Sequence, residues 1–223
     1  MKKNHSKIVV LILFGSMLLF ANGCATSRGV VDIKVSPSET PAGGVAIKIL
    51  NVTDSRNFEV APKLQSTPSL NEEEIKDANI RSRAIGRKRN TYGKALGDFL
   101  LPEGKTVQGL VKDAMSKALR EKGYAVVEPR STDYEKAMTL EADINQLWAY
   151  MKPGFWALTL EFETIVNIKG DVFQNSKEEQ VRGYSRMSAQ TGAESNYIEV
   201  MQNGIDNFID NFKKKLRDAT SGK

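Results

Sequence analysis

Residues 138–169 read MTLEADINQLWAYMKPGFWALTLEFETIVNIK, and this stretch decides the fold. Leu140, Ala142 and Ile144 place apolar side chains at alternate positions, which is the period of a half-buried strand. Lys152-Pro153-Gly154 then breaks the pattern with a turn signal, and Leu158 to Ile168 resume it. Two arms of an antiparallel hairpin are therefore predicted, Met138 to Met151 and Phe155 to Lys169. The first arm carries a slip. Its apolar positions are even up to Ile144 and odd at Leu147, Ala149 and Met151. Side chains alternate faces, so a β-bulge near Asn145-Gln146 is needed to return the odd set to the core. Trp148 and Tyr150 then point to the second face. If Pro153-Gly154 is a two-residue loop, Lys152 pairs with Phe155, and Tyr150 pairs with Ala157. Trp148, Tyr150 and Phe155 would form an exposed aromatic patch, and such patches mark contact surfaces. The alternative is that residues 55–105 cover this face, or that Trp148 itself faces the core.

Outward from the hairpin, Glu179 to Ala189 is a third strand after the polar turn Gln174 to Lys177. Ile198, Met201, Ile205, Phe208, Ile209, Phe212 and Leu216 then form one stripe of a long helix, with Ser195 as its expected N-cap. Upstream, Val107, Leu110, Val111, Ala114, Met115, Ala118 and Leu119 repeat at helical spacing, and Gly123 suits a left-handed cap before a strand at Tyr124 to Val127. Val45, Ile47 and Ile49 mark another strand, ending near Asn51 to Asp54. The order predicts an α+β fold: a mixed, mostly antiparallel sheet with two amphipathic helices on one face. A long irregular excursion, residues 55–105, interrupts it. Its capping-box pattern at Ser69 to Glu72 suggests a short helix. Few apolar residues and many charges predict that residues 55–94 are the most mobile part of the domain.

The N-terminus carries the clearest signal. Lys2, Lys3 and Lys7 precede thirteen apolar or small residues, Ile8 to Phe20, and then Ala21-Asn22-Gly23-Cys24. The run is too short to span a bilayer, which takes about 20 residues. A basic n-region, short apolar core and small residue before the chain's one cysteine read as a lipoprotein signal, residues 1–23. Cys24 is the expected lipid-attachment site. Residues 24–43 form the lipidated N-terminus and tether, and residues 44–223 a single periplasmic domain. Ala25 follows Cys24, which favours the outer membrane.

Removing Lys2, Lys3 and Lys7 takes the net charge from +5 to +2, so nothing in the balance calls for nucleic acid. The single histidine, His5, falls in the signal. That excludes Ser-His-Asp and Cys-His catalysis and His-based metal sites in the mature chain. No cofactor and no metal are expected. Gly104-Lys105-Thr106 opens a helix, but Phe99 stands where a phosphate loop needs glycine. Glu161 and Glu163 lie roughly 7 Å apart on one strand face, and paired carboxylates could hydrolyse a glycoside. Arg81, Arg83, Arg87, Lys88 and Arg89 form a basic run that could meet phosphate groups of a lipid or other anionic surface.

The order Ile33-Lys-Val-Ser-Pro37, strand 45–50, Asp54-Ser-Arg56, Gly104, helix 107–122 and Gly123-Tyr124-Ala-Val-Val resembles the YajG-like lipoproteins of Gram-negative bacteria. Its strand–loop–helix–Gly–strand unit is also similar to the curli-secretion lipoprotein. The resemblance implies location and fold, not an activity. The expected function is therefore a non-enzymatic binding or scaffold lipoprotein. It would be held by its lipid at the outer membrane, facing the periplasm, with an envelope protein as partner. The alternatives are an auxiliary subunit of an envelope transport or secretion assembly, and a carboxylate-dependent envelope hydrolase.

Overall fold

The computed structural model describes residues 28–219 except 91, 93, 155 and 175. The signal segment, Cys24 and Phe155 lie outside the described residues.

The hairpin is the spine. Strand β6 (Met138–Pro153) pairs antiparallel with β7 (Leu158–Gly170), which pairs with β8 (Glu178–Ala189). The register shifts between Ile144 and Gln146, so the bulge falls where the alternation slips. Leu140, Ala142, Ile144, Leu147, Ala149 and Met151 consequently share one core. The turn differs from a two-residue loop. Pro153 faces Leu158 and Tyr150 faces Glu161, so residues 154–157 form the connection.

The other edge of β6 is shared by two partners in succession. Strand β2 (Val45–Asp54) runs parallel to its first half, from Ile47 opposite Met138 to Asp54 opposite Ile144. There β2 ends. Strand β3 (Ala84–Arg89) takes over the same edge, with Gly86 opposite Ala149. A side chain at Gly86 would stand 2.9 Å from the Ala149 Cβ, so the strands meet there only because position 86 is bare. Strand β5 (Tyr124–Val126) lies outside β2. Strand β4 (Ala95–Leu100) is antiparallel to β3, and β1 (Gly29–Val30) runs parallel to β4 at the far edge. The eight strands form one mixed sheet, with the long ladders antiparallel.

Two long helices cover one face: α3 (Val107–Glu121) and α4 (Glu194–Lys215). Thr106 caps α3 by accepting from Gly109 N, and Gly123 ends it at φ +89°. The expected Ser195 cap is not used; Ala193 holds the N-cap position with no side-chain bond. Helix α4 seats very close to the sheet. At Gly204 a Cβ would fall 2.2 Å from Phe162 Cδ1, and at Gly183 a Cβ would fall 2.5 Å from the Phe208 Cβ.

The excursion is not structureless. It contains α1 (Glu72–Lys76), α2 (Ala78–Arg83), β3 and β4. The capping box lies two residues beyond the expected one, on Asn71 and Glu74. Ser69 is instead bridged to Glu59. The segment spreads over the second face of the sheet and closes a smaller core of Leu70, Ala84, Leu100, Trp148 and Tyr150. Phe58, Ile75 and Ile80 pack against it. The expectation that residues 55–94 bury little surface is thereby corrected. Phe58, Leu70, Ile75, Ile80 and Ala84 converge on two aromatic rings of β6, while Ile85 joins the main core.

Candidate functional site: an apolar groove beside helix α3

The proposed aromatic patch is overturned. Trp148 has 0% exposure and meets Phe58 edge-on at 5.9 Å, while Tyr150 is 5% exposed. Both point to the second face, but the excursion covers it. They are core residues.

The carboxylates beside them are also committed. Glu161 accepts from Tyr150 Oη at 2.7 Å and from Lys152 Nζ at 3.0 Å. Burial works to raise its pKa. The bonds from Tyr150 and Lys152 together outweigh burial and hold the carboxyl below its usual range. Burial, followed by the Glu161 bond, pushes the Tyr150 phenol well up. Glu163 pairs with Arg182 at 2.7 Å. Each carboxylate has its own cation, and an ionised Glu161 cannot act as a general acid.

The basic run is largely internal. Arg83 and Arg87 are buried, and Lys88 and Arg89 are half-buried; Arg81 alone of the five is exposed. Arg83 Nε donates to Leu101 O at 2.9 Å, and its guanidinium pairs with Glu103. Arg87 Nε lies 3.0 Å from Asp98 Oδ1, an ion pair without hydrogen-bond alignment. Burial pushes the Asp98 carboxyl up, against the pull of Arg87. Lys88 lies 4.6 Å over the Phe99 ring and 3.6 Å from Glu194, and Arg89 donates to Ser69 Oγ at 2.7 Å. These cations hold the excursion together rather than presenting a surface to an anionic partner.

The Asp54-Ser-Arg56 motif has the same role. Arg56 is buried and donates to Asp54, Ala84 O, Leu147 O and Arg81 O. It clips the excursion to the sheet at the point where β2 ends.

An open site lies on the opposite side. Residues 32–37 run extended beside the start of α3 and leave a groove of about 510 Å³. Ile33, Val35, Leu101 and Leu110 supply apolar walls; Asp32, Lys34, Lys105 and Asp113 add charge of both signs. The extended strip is fixed from behind. Val31 N donates to Leu100 O at 2.9 Å, and Gln202 of α4 exchanges two hydrogen bonds with the Lys34 backbone at 3.2 and 3.0 Å. Lys105 pairs with Asp32 across the groove. Gly109 lines it too. A Cβ there would meet only Thr106 Oγ1, at 3.5 Å, so packing does not demand glycine. Glycine costs about 1 kcal/mol against alanine inside a helix. A bare backbone here keeps the groove wide. The sequence signal was faint: Gly104-Lys105-Thr106 marked the helix start, and Ile33 to Pro37 read as tether.

No family model matches this chain, and no curated protein matches it. Two solved structures are similar at low identity. One, described as an uncharacterized protein, is 9% identical, with a TM-score of 0.40, over 84% of this chain and 97% of its own. The other, a hypothetical protein from Chlamydia trachomatis, is 11% identical, with a TM-score of 0.22, over 77% of this chain and 93% of its own.

Proposed function

We propose that this chain is a lipid-anchored envelope protein, a binding or scaffold module whose groove beside α3 takes an apolar segment of a protein partner. The observation that carries the reading is Gly109, a glycine on the groove wall that the fold itself does not require. The mixed charges around the apolar walls suit a peptide chain better than a single small anion. The signal-like N-terminus ending at Cys24 supports attachment at the outer membrane, with the domain in the periplasm.

A photoreactive phenylalanine analogue at position 109, activated in intact cells, tests the groove. A Cβ at position 109 meets nothing closer than 3.5 Å, so the probe attaches there without a clash at its base. One dominant protein adduct is expected, absent when the probe stands at exposed Lys177. Equal labelling from both positions would overturn the groove as partner site. The anchor is tested by Cys24→Ala, which should leave a soluble or unprocessed chain. Unchanged membrane retention and mass would overturn it.

A further inference from the structure

Two exposed aromatic rings lie at one end of the sheet. Tyr92, 92% exposed, sits in the β3–β4 connection; Trp156, 86% exposed, sits in the β6–β7 connection. The register brings the two connections together. Gly86 faces Ala149 in parallel, so Arg89 reaches the level of Lys152. Both strands then turn, β3 after Arg89 and β6 after Pro153. The two connections are centred two strand spacings apart, about 10 Å. Exposed Leu96, at the start of β4, belongs to the same end, and Lys94 is exposed on the β3–β4 connection. Glu194 at the start of α4 also lies there, near Lys88.

The first described residue, Arg28, stands three strand residues from this end. Strand β1 runs parallel to β4 with Gly29 opposite Phe99, and Arg28 Nη2 lies 3.7 Å from Asp98. From Asp98 back to Ala95 is three strand residues, about 10 Å. Cys24 is four residues before Arg28, so the covalent chain holds it within about 14 Å of Arg28. That reach exceeds the distance from Arg28 to the end that displays Tyr92 and Trp156, so a lipid on Cys24 is compatible with a bilayer at this end.

We infer that this end of the sheet is a membrane-interface contact. Trp156 and Tyr92 seat at the level of the lipid head groups, Leu96 dips beside them, and Lys94 reaches the phosphates. Tryptophan and tyrosine favour that zone because each has an apolar body and a polar tip, and lysine stems can lie along the boundary with their charges in water. The contact sets the orientation of the domain on the membrane. It rests on the anchor reading above, not on the groove.

The test uses the full chain, purified from a lipidating host and reconstituted in phosphatidylethanolamine–phosphatidylglycerol vesicles. Some vesicles carry phospholipid brominated near the head-group end of its acyl chain. The chain has 2 tryptophans, so Trp148→Phe leaves Trp156 as the sole reporter. Trp156→Phe leaves buried Trp148 and gives the same information by difference. Intact mass reports whether Cys24 carries lipid. The expected result is a lipid-bearing mass, with Trp156 emission blue-shifted and mostly lost to the brominated lipid while Trp148 emission is unchanged. A lipid-bearing, vesicle-bound protein whose Trp156 is not quenched overturns the membrane contact and leaves the anchor intact. An unlipidated mass with no quenching overturns both. An unlipidated mass with Trp156 still quenched supports the contact and overturns the anchor.

Discussion

Arg56 and Asp54 meet as a fork against a fork: Nε lies 2.8 Å from Oδ1 and Nη2 lies 2.9 Å from Oδ2. The three remaining guanidinium donors reach the carbonyls of Ala84, Leu147 and Arg81 at 2.6, 3.1 and 2.8 Å. Three segments distant in sequence are thus held by one cation. Lysine is a point charge with three donors and cannot reproduce this arrangement. Arg56→Lys should therefore cost about 2–4 kcal/mol. Urea unfolding checks this, and an unchanged midpoint would show that the clip contributes nothing.

Trp148 and Tyr150 are core residues, so their removal should be felt as stability. Trp148→Ala should cost about 3–5 kcal/mol. The indole Nε1 is buried without a hydrogen-bond partner, so Trp148→Phe should cost only about 1–2 kcal/mol. A thermal midpoint that survives replacement of both rings by serine would contradict this assignment.

Gly204 lets α4 lie against Phe162. Adding one methyl forces a shift that should cost about 1–3 kcal/mol, partly offset by the better helix propensity of alanine. Gly204→Ala should thus lower the melting temperature. Gly109→Ala, which meets no such obstacle, should raise it slightly. Calorimetry of the two variants separates a packing glycine from one that the fold does not need.

Glu121 joins the two long helices. Hydrogen bonds from Lys117 at 2.6 Å and Lys213 at 2.8 Å hold its carboxyl down to about 2, below the ordinary 4.5. The pair is partly exposed, so its contribution is no more than about 1 kcal/mol. Because the folded value is the lower one, that contribution is present above pH 4.5 and fades as the pH falls toward about 2. Lys213→Ala should flatten the loss of stability over this range. Parallel acid curves for variant and parent would refute it.

The alternation of β6 showed where the chain slips register, because a period of two leaves no freedom in which face a residue occupies. The stripe of α3 was equally legible, and that of α4 from Met201 onward, although Ile198 is exposed and Tyr197 and Val200 are buried in its place. The loop after Pro153 was not, since Pro-Gly marks a turn without fixing its length. The excursion was least legible. Helices α1 and α2 have 5 and 6 residues, too short to show periodicity. Their order comes from Arg56 and from the rings of Trp148 and Tyr150, which are far away in sequence. Arg83 and Arg87 looked solvated for the same reason. Sequence shows the charge, while burial depends on partners such as Asp98 on the facing strand and Glu103 in the turn after it. The groove was missed because residues 32–37 become one of its walls only once α4 supplies Gln202.

The split edge of β6 divides what is built on it into two parts. Strand β2 stops at Asp54, and strand β3 occupies the part of the β6 edge that lies beyond it. The layer over Trp148 and Tyr150 has its own small core and is expected to open as a cooperative unit, while Ile85 and Phe99 tie β3 and β4 to the main core. Heat or denaturant should strip it first, baring Trp148 while α3 and α4 still hold the other face. The end that carries Tyr92 would loosen with that layer, and the groove beside α3 would lose the tie from Val31 to Leu100 that fixes its strip.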